Sequence, residues 1–380
     1  MHLAWQAGRP VRRPTGGGGR AGVLVVSAGV GAGHDAAAAE LAVRLRAAGV
    51  PVWVRDLLTV LPGPARRLLG SGYGPCVDRA PAAFELLVRR LEHEGLLWGA
   101  VQRVATSASA GVAAWCADLR PALVVSTYPV ASQTLGGLRA TGRLAAPVLT
   151  YLTDPAVHRS WLHPAVAAHL TVSAATAEHG RTAYGAPMTV AGPLVSPRFG
   201  RPVPPERQRR VRTALGLDAG PGRPLALVVA GSLGLGDPVP TVVDLIAVGA
   251  TPVVLCGRNP GLLDRVARVP GAVALGWRDD VPDLMAVADV LVHNAGGMSC
   301  TEALVAGLPV VTHRPVPGHG RINAAVLHDA GVAPWARTRT ELAAALAGAA
   351  RRPRTRVHHP DPAALVLRTL ALRGAGTTAA

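Results

Sequence analysis

The sequence predicts an α/β protein with two doubly wound domains in tandem, each a parallel sheet covered by helices on both faces. Short apolar runs rich in Val and Leu alternate with Ala-, Leu- and Arg-rich stretches of helical periodicity. The runs are apolar throughout, which is typical of parallel strands buried on both faces. The pattern stops once, at a proline-rich stretch over 192–205, and then begins again. A chain of 380 residues has room for two such domains.

The first domain is expected over residues 21–195. Helical patterns such as 35–48 and 130–140 lie between most of its strands. These strands are predicted at 23–27, 51–54, 122–126, 147–152, 169–172 and 188–190.

The second domain is expected over residues 221–350, after an interdomain linker and first helix at 196–220. A C-terminal segment, 351–380, begins with prolines and then has an amphipathic helical pattern at 363–373. The strands of the second domain are predicted at 225–230, 252–256, 272–275, 290–293 and 309–312.

Composition excludes several classes of protein. With 49% hydrophobic residues the chain can bury large cores, so it is not intrinsically disordered. It has no apolar run of about 18 residues, so no membrane-spanning helix is expected. Residues 1–20 lack the apolar core of a signal peptide and are expected to form a disordered Gly- and Arg-rich tail. The four cysteines lie far apart in the sequence and form no CxxC pair: Cys76, Cys116, Cys256 and Cys300. This spacing argues against a zinc site or a disulfide framework and favours a reducing cytoplasm.

The charge of the chain is strongly basic. All 39 basic residues are Arg, a bias typical of a GC-rich genome, and the formal net charge is +16. The excess is divided evenly between the two halves of the chain. Charge alone permits nucleic-acid binding, but reading motifs are missing and aromatic residues make up only 3%, so no nucleic-acid partner is expected. Attraction to an anionic membrane surface fits the charge equally well.

A glycine-rich turn separates the first predicted strand from its helix. Free N–H groups at such a helix N-terminus suit an anion or a polar ligand. The spacing Gly29-x-Gly31-x-Gly33 differs from the dinucleotide fingerprint GxGxxG, and the nearest acidic residue at the second strand is Asp56. A dinucleotide fold is therefore disfavoured. His34 ends the turn and is expected to face a crevice between the domains, the alternative being a helix-capping or solvent-exposed histidine.

The most specific string of the second domain spans 291–309. Gly296, Gly297 and Ser299 lie where a strand turns into a helix, and backbone N–H groups there suit a diphosphate. Glu302 follows one helical turn later, where its carboxylate suits the two hydroxyls of a ribose. The alternative is a capping box, Ser299-x-x-Glu302, which needs no ligand.

Further loops also follow predicted strands of the second domain. Because the carboxyl ends of parallel strands meet at one edge of a sheet, we expect them to converge on a single ligand. They comprise the glycine loop with Gly231 and Ser232, the strand ends with Arg258, Trp277 and Arg278, and the segment 317–323.

These loops carry a family resemblance. The strings 295–309 and 317–323 resemble the donor-site signature of GT-B glycosyltransferases of family 28. In the first domain, 31–34, 126–129 and 153–161 are similar to the monogalactosyldiacylglycerol synthase branch of that family. The resemblance covers about 23 to 335, and it implies two Rossmann-like domains facing a cleft.

The resemblance implies an inverting transfer of a hexose from a UDP-sugar to a lipid acceptor such as diacylglycerol. His34 would be the general base, a role that suits histidine near neutral pH. Acceptor contacts would come from Gly31, Gly33, Asp154, His158 and Trp161, with a core position as the alternative for Trp161. Donor contacts would come from Gly231, Ser232, Arg258, Trp277, Arg278, Asn294, Gly296, Gly297, Ser299, Glu302, His319 and Asn323.

The resemblance also implies that no metal or other cofactor is needed, with Arg258 neutralising the leaving diphosphate. Asp279-Asp280 opens a predicted helix, where capping and helix-dipole roles explain it better than a metal site. Many relatives have Gln-Glu or Gln-Gln where this chain has His319-Gly320, so galactose, glucose and N-acetylglucosamine all remain open. Met298 replaces a glycine that is common in the phosphate loop, and a packing role is expected for it.

The surface that contacts lipid is expected in the segment 57–105. Its leucines and arginines suit an amphipathic surface resting on anionic lipid, and hence a cytoplasmic protein bound peripherally to the inner face of the membrane. The alternative is leucines in an ordinary core and arginines on a solvated face. Other functions left open are a UDP-sugar epimerase of the same fold, a transferase with a non-lipid acceptor and a non-catalytic binding protein. The candidate surface residues are Arg66, Arg67, Leu68, Leu69, Leu86, Leu87, Arg89, Arg90 and Leu91.

Overall fold

The computed structural model describes residues 22–70, 80–217, 223–229, 231, 237–356 and 359–377. The expected tail at 1–20, Cys76 and Ser232 lie outside these residues. Within them, two six-stranded parallel sheets are flanked by helices. The predicted fold class, two doubly wound α/β domains, is confirmed.

The first sheet has the strand order β2-β1-β3-β4-β5-β6. Its strands are β1 Val23–Ser27, β2 Val52–Asp56, β3 Leu123–Ser126, β4 Val148–Tyr151, β5 Ala168–Thr171 and β6 Met188–Val190. Its helices are α1 Ala32–Ala47, α2 Gly63–Gly70, α3 Pro81–Leu91, α4 Leu96–Ser107, α5 Ser109–Leu119, α6 Pro129–Ala140 and α7 Ala174–Tyr184.

The second sheet has the order β12-β11-β10-β7-β8-β9. Its strands are β7 Leu225–Val229, β8 Thr251–Leu255, β9 Val273–Leu275, β10 Val290–His293, β11 Val310–His313 and β12 Trp335–Ala336. The helices of this half are α8 Pro205–Ala214, α9 Val239–Ala247, α10 Pro260–Ala267, α11 Val281–Val287, α12 Gly297–Val305, α13 His319–Asp329, α14 Arg339–Arg351 and α15 Pro362–Thr377.

Alternate residues of each central strand explain why the strands are apolar throughout. In β1, Leu24 and Val26 enter the core on one face of the sheet, whereas Val23 and Val25 enter the core on the other. All four are fully buried. A strand covered on both faces has no solvent side to place polar residues on.

The predicted strands match the observed ones to within two residues at each end, and β12 is the strand that the sequence did not predict. Two residues are too few for a recognisable pattern. The helix predicted at 363–373 is α15, and it packs on the first domain, with Ala363 and Val366 in the same core as Leu41. The chain therefore crosses between the domains twice. Gly192 is required at the first crossing, because its φ is +90° and a Cβ there would collide with the Pro360 carbonyl oxygen.

Candidate active site

His34 lies in the first turn of α1, at the carboxyl edge of the first sheet. Gly31 is the N-cap residue with φ +91°, a backbone conformation that favours glycine, and no side chain caps the helix. Gly33 faces the second domain, because a Cβ added there would lie 3.5 Å from the Cβ atom of Met298. The turn therefore delivers His34 to the meeting point of the two domains, as the sequence predicted.

The hydrogen bonds of His34 fix its tautomer. Its Nδ1 lies 2.9 Å from the Thr127 carbonyl oxygen and 3.0 Å from Thr153 Oγ1. Because a carbonyl only accepts, Nδ1 carries the proton in the neutral ring and Nε2 keeps its lone pair. Nε2 has no hydrogen-bond partner within the described part of the chain. Burial lowers the pKa of His34, although Asp154 acts in the opposite direction. The ring is therefore a neutral base at pH 7.

Asp154 lies beneath this base among three histidines. It is 3.6 Å from His158 Nε2, and it accepts a 3.3 Å hydrogen bond from Trp161 Nε1. Burial alone would raise its pKa, but the His158 hydrogen bond and the charges of His158, His34 and His319 lower the pKa of Asp154 to about 2. Asp154 is thus an anion that stabilises positive charge on its neighbours.

Trp161 and His158 are more buried than the predicted acceptor-binding role requires. Trp161 has no exposed surface and packs with Leu152 and Val157, so the core alternative is correct and its ring does not line the cleft. His158 is 6% exposed, and its Nδ1 lies 2.7 Å from Ser160 Oγ. Both side chains contact the Asp154 carboxylate.

The His158 ring also meets the second domain, with its centroid 4.5 Å from that of His319. Burial lowers the pKa of His319 to about 3, with a further lowering by His158. His319 therefore stays neutral at pH 7. These two rings bring the predicted acceptor and donor residues together at one point.

The predicted phosphate turn lies at the N-terminus of α12, against the first domain. A Cβ added at Gly297 would collide with the Thr153 carbonyl oxygen, so glycine is required by a close approach between the domains. The helix begins at Gly297, and its N-cap Gly296 provides no side-chain cap. Ser299 is inside the helix, so the alternative of a Ser299-x-x-Glu302 capping box is wrong. The first N–H groups of a helix have no partner within the helix, so the start of α12 suits an anion.

Glu302 is partly buried one turn into α12. Its carboxylate makes no hydrogen bond or ion pair with a described residue. Burial raises the pKa of Glu302 to about 7. A desolvated carboxylate without a partner destabilises the fold, which is common where a ligand completes the site.

Arg258 and Trp277 meet at the ends of β8 and β9. The guanidinium carbon lies 3.8 Å from the centre of the indole ring, a cation–π contact, and Trp277 is 44% exposed. Arg278 pairs instead with Asp280, at 2.5 Å. The Asp280 carboxylate therefore does not cap α11 as predicted, although the residue does occupy the N-cap position. Asp279 accepts a 3.1 Å bond from Trp277 Nε1.

Asn323 links the two domains through its side-chain amide. It is 4% exposed, and its amide bridges the domains: Oδ1 accepts from Ala156 N and Nδ2 donates to the Ala295 carbonyl, both at 3.0 Å. Both ends of the side chain are therefore engaged by protein, and the donor contact of Asn323 stays a prediction. Asn294 lies in the same turn, where its carbonyl accepts from Val316 N at 3.0 Å. Gly231, with φ +72°, follows β7 at the same edge of the sheet.

Helices α2 to α4 present leucines to solvent beside arginines. Phe84 and Val88 are buried, but residues on the other face of the same segment are not. The exposed fractions are Leu68 60%, Leu86 54%, Leu87 38%, Leu96 90% and Leu97 38%. The alternative of leucines in an ordinary core is therefore wrong for these five residues.

Neither a membrane-spanning helix nor a cluster of metal-binding side chains occurs in the part of the chain that the structure describes. No helix there is long and apolar enough to cross a membrane. No group of three or more His, Cys, Asp or Glu residues there is arranged to hold a metal ion. That the chemistry needs no metal stays a prediction.

Comparison with solved structures identifies the fold. The chain has the fold of GT-B glycosyltransferases. It matches the glycosyltransferase SnogD from Streptomyces nogalater with a TM-score of 0.55 and 20% identity, over 93% of this chain and all of the other. It matches MurG from Acinetobacter baumannii with a TM-score of 0.53 and 16% identity, over 92% and 99% of the two chains.

Comparison of sequences shows which glycosyltransferases the chain resembles. Residues 34–186, which begin at the predicted base, match the Monogalactosyldiacylglycerol (MGDG) synthase family. A processive diacylglycerol beta-glucosyltransferase of Bacillus pumilus is 26% identical over 51% of each chain. A probable monogalactosyldiacylglycerol synthase of Nicotiana tabacum is 25% identical over 59% of this chain and 44% of its own length. The resemblance to the monogalactosyldiacylglycerol synthase branch is thus confirmed, while the matches span about half the length of these relatives.

Proposed function

We propose that this protein is an inverting glycosyltransferase that moves a hexose from a UDP-sugar to the hydroxyl of a lipid such as diacylglycerol. The observation that carries the proposal is the bond from His34 Nδ1 to the Thr127 carbonyl oxygen. It leaves Nε2 as a basic nitrogen at the point where the two domains meet. The names of the sequence relatives, diacylglycerol glucosyltransferases and monogalactosyldiacylglycerol synthases, support the same acceptor class.

The proposed reaction is a single displacement. Nε2 of His34 takes the proton of the acceptor hydroxyl while that oxygen attacks the anomeric carbon. The bond from this carbon to the diphosphate oxygen breaks on the opposite face, and UDP leaves with the electron pair. Attack opposite the leaving group inverts the anomeric configuration. Asp154 stabilises the imidazolium that forms, because it is an anion held close to the His34 ring.

The departing diphosphate requires positive charge. The N-terminus of α12, at Gly296, Gly297 and Ser299, supplies N–H groups and the positive end of the helix dipole. Arg258 supplies a full charge and has no carboxylate partner among the described side chains. Glu302 accepts hydrogen bonds from the ribose hydroxyls, which compensates the cost of its burial. The exposed Trp277 and Arg258 together offer a flat surface for the uracil ring of the donor.

The donor sugar has three candidates. The names of the relatives include both glucosyl and galactosyl transfer. His319 and Gly320 occupy the positions that the resemblance assigns to the sugar, and neither supplies the side-chain amide or carboxylate of many relatives. We therefore propose a UDP-hexose, with glucose, galactose and N-acetylglucosamine as the candidates.

The exposed leucines support peripheral attachment to a membrane. Leu68, Leu86, Leu87, Leu96 and Leu97 project from a segment that also exposes Arg66, Arg67, Arg89 and Arg90. An apolar face with basic neighbours binds the interface of an anionic bilayer. The proposed location is the inner face of the cytoplasmic membrane, where the lipid acceptor and the nucleotide sugar meet.

A donor and acceptor screen tests the proposal. Purified protein is incubated with UDP-glucose, UDP-galactose or UDP-N-acetylglucosamine and with vesicles that contain diacylglycerol, and both UDP and glycolipid are measured. The proposal expects the two products in equal amounts with one donor. Interconversion of UDP-sugars without glycolipid would indicate an epimerase. UDP release with a soluble alcohol but not with diacylglycerol would indicate a non-lipid acceptor.

A further inference from the structure

Helix α3 of the first domain packs on the donor loop of the second. Phe84 and Val88 form a small apolar cluster with Val316 and Ile322. A Cβ added at Gly318 would lie only 2.7 Å from Val88 Cγ2. The acceptor-binding domain thus lies directly on the turn that precedes His319.

Glu85, on the same face of α3, makes polar contacts across this interface. Its Oε2 accepts a 3.0 Å hydrogen bond from Gly318 N and lies 3.3 Å from Arg321 Nη1. Its Oε1 pairs with Arg89 at 3.1 Å on its own helix. The side chain is 15% exposed. Burial acts to raise the pKa of Glu85, but the Gly318 amide and the two arginines outweigh it and lower the pKa, so the group is ionised at neutral pH.

The bond from Gly318 to Glu85 lies at the start of a helix. Gly318 is the N-cap residue of α13, with φ +72° and ψ −117°, and no side chain of its own helix caps it. A carboxylate at a helix N-terminus is stabilising because it meets free N–H groups and the positive end of the dipole. Glu85 performs this role from the other domain. Docked α3 therefore contributes the carboxylate that caps the start of α13, one residue before His319.

We propose that Glu85 is a positioning residue of the donor site: it is supplied by the acceptor-binding domain and holds the Gly318–His319 turn where the sugar of the donor binds. This inference rests on the proposed function and deepens it. Glu85 is fully engaged by the Gly318 amide and two arginines, so it acts through the turn and not on the reacting atoms. The contact between Glu85 and Gly318 would make binding of the sugar depend on closure of the two domains, while binding of UDP depends on the second domain alone.

The first test measures the contact without any ligand. Hydrogen–deuterium exchange of peptides covering 314–323 is compared in the wild type, Glu85→Ala and Glu85→Gln. Removing a charged acceptor is expected to speed exchange of the Gly318 amide by about tenfold in Glu85→Ala. Glu85→Gln retains an acceptor oxygen and is expected to stay within about threefold of the wild type. The matched control is Glu40→Ala, because Glu40 is 12% exposed and pairs with Arg44 at i,i+4 on α1.

The second test separates positioning from general structural support. For Glu85→Ala we expect the KM for the accepted UDP-hexose to rise about tenfold, while the Kd for UDP measured by calorimetry stays within about twofold. Glu85→Gln is expected to rescue most of this loss, and Glu40→Ala to behave as the wild type.

Three outcomes would overturn the inference. Unchanged exchange and unchanged KM in Glu85→Ala would show that the contact does no positioning. An equal loss of UDP-hexose and UDP affinity would indicate a structural role only. If Glu85→Ala does not fold, Glu85→Asp shortens the side chain and withdraws the carboxylate from the Gly318 amide, and a wild-type KM and exchange rate there would also count against it. If the wild type binds no UDP, the proposed function fails, and the exchange comparison still decides whether Glu85 holds the turn.

Discussion

Met298, in the first turn of α12, lies against Gly33, the residue that precedes the proposed base His34. A Cβ added at Gly33 would be 3.5 Å from the Cβ atom of Met298, and the Met298 side chain packs on the core of the first domain. The predicted phosphate turn of one domain and the predicted catalytic turn of the other are therefore in direct contact. The packing role expected for Met298 is an interdomain one.

Met298→Gly is expected to lower the free energy of unfolding by about 1–3 kcal/mol. The substitution removes a partly buried side chain and places a glycine inside a helix. Thermal unfolding followed by circular dichroism measures the change. Ala347→Gly, at an exposed position inside α14, is the control for the helix penalty alone. Equal losses in the two variants would show that Met298 contributes no interdomain packing.

His34→Ala is expected to reduce turnover by at least about 100-fold, because general-base catalysis typically contributes 10²–10⁴ in rate. The Kd for UDP should barely change, since the proposed nucleotide site lies in the second domain. Release of UDP measures turnover and calorimetry measures affinity, with His93→Ala as an exposed control in the same domain. A variant with near-normal turnover would make Asp154 the next candidate for the base.

The pH dependence follows from the same residue. The base must be neutral, and burial lowers the pKa of His34 below its ordinary value of 6.5. The midpoint of the acid limb of turnover, where Nε2 becomes protonated, should therefore lie below pH 6.5. An acid limb centred above 6.5 would contradict the lowered pKa.

Glu302→Ala is expected to weaken UDP binding by at least about tenfold, the cost of losing hydrogen bonds to a charged group. Calorimetry measures the affinity, and Asp264→Ala provides an exposed acidic control in the same domain. Unchanged affinity for UDP would mean that the ribose is bound elsewhere.

Glu302→Gln gives an independent prediction about stability. The pKa of Glu302 is raised from 4.5 to about 7, so its ionisation favours the unfolded state over that interval. The wild type should lose stability relative to Glu302→Gln as pH rises from 4.5 to 7, with the difference constant above that. Melting temperatures of both proteins from pH 5 to pH 8 measure this, and a difference that shrinks with rising pH would contradict it.

Leu86→Ser combined with Leu87→Ser is expected to weaken binding to anionic vesicles. Each substitution removes apolar area that would enter the bilayer interface, which contributes about 1.5–3 kcal/mol per fully buried leucine side chain. Sedimentation with vesicles measures binding, and binding of the wild type should also fall as salt rises. Leu372→Ser is the control, since this leucine is 77% exposed but lies on α15. Equal effects at both places would show that the leucines of α3 form no specific membrane surface.

Turnover is expected to be insensitive to chelators. The proposed charge stabilisation comes from the N-terminus of α12 and from Arg258, so EDTA should leave the rate of UDP release within about twofold of the untreated enzyme. Arg258→Ala should instead lower it, by about tenfold or more. A loss with EDTA that Mg²⁺ or Mn²⁺ restores would contradict the prediction.

The sequence by itself determined the two α/β sheets, the order of their strands along the chain and the turns that end at the site. Strands buried on both faces must be apolar throughout, and glycine turns at their carboxyl ends are local features, so both are visible without tertiary structure. His34 and the N-terminus of α12 were found in this way.

The tertiary structure decided how the two sites meet. Glu85 and Asn323 act across the interface between domains, Trp161 is buried in the core, and the leucines of α2 to α4 are exposed. These properties depend on contacts between residues more than 100 positions apart, as for Glu85 and Gly318, or on which face of a helix another element covers. A pattern with a period of two or four residues contains no information about either, because the same leucine-rich helix can lie in a core or on a surface.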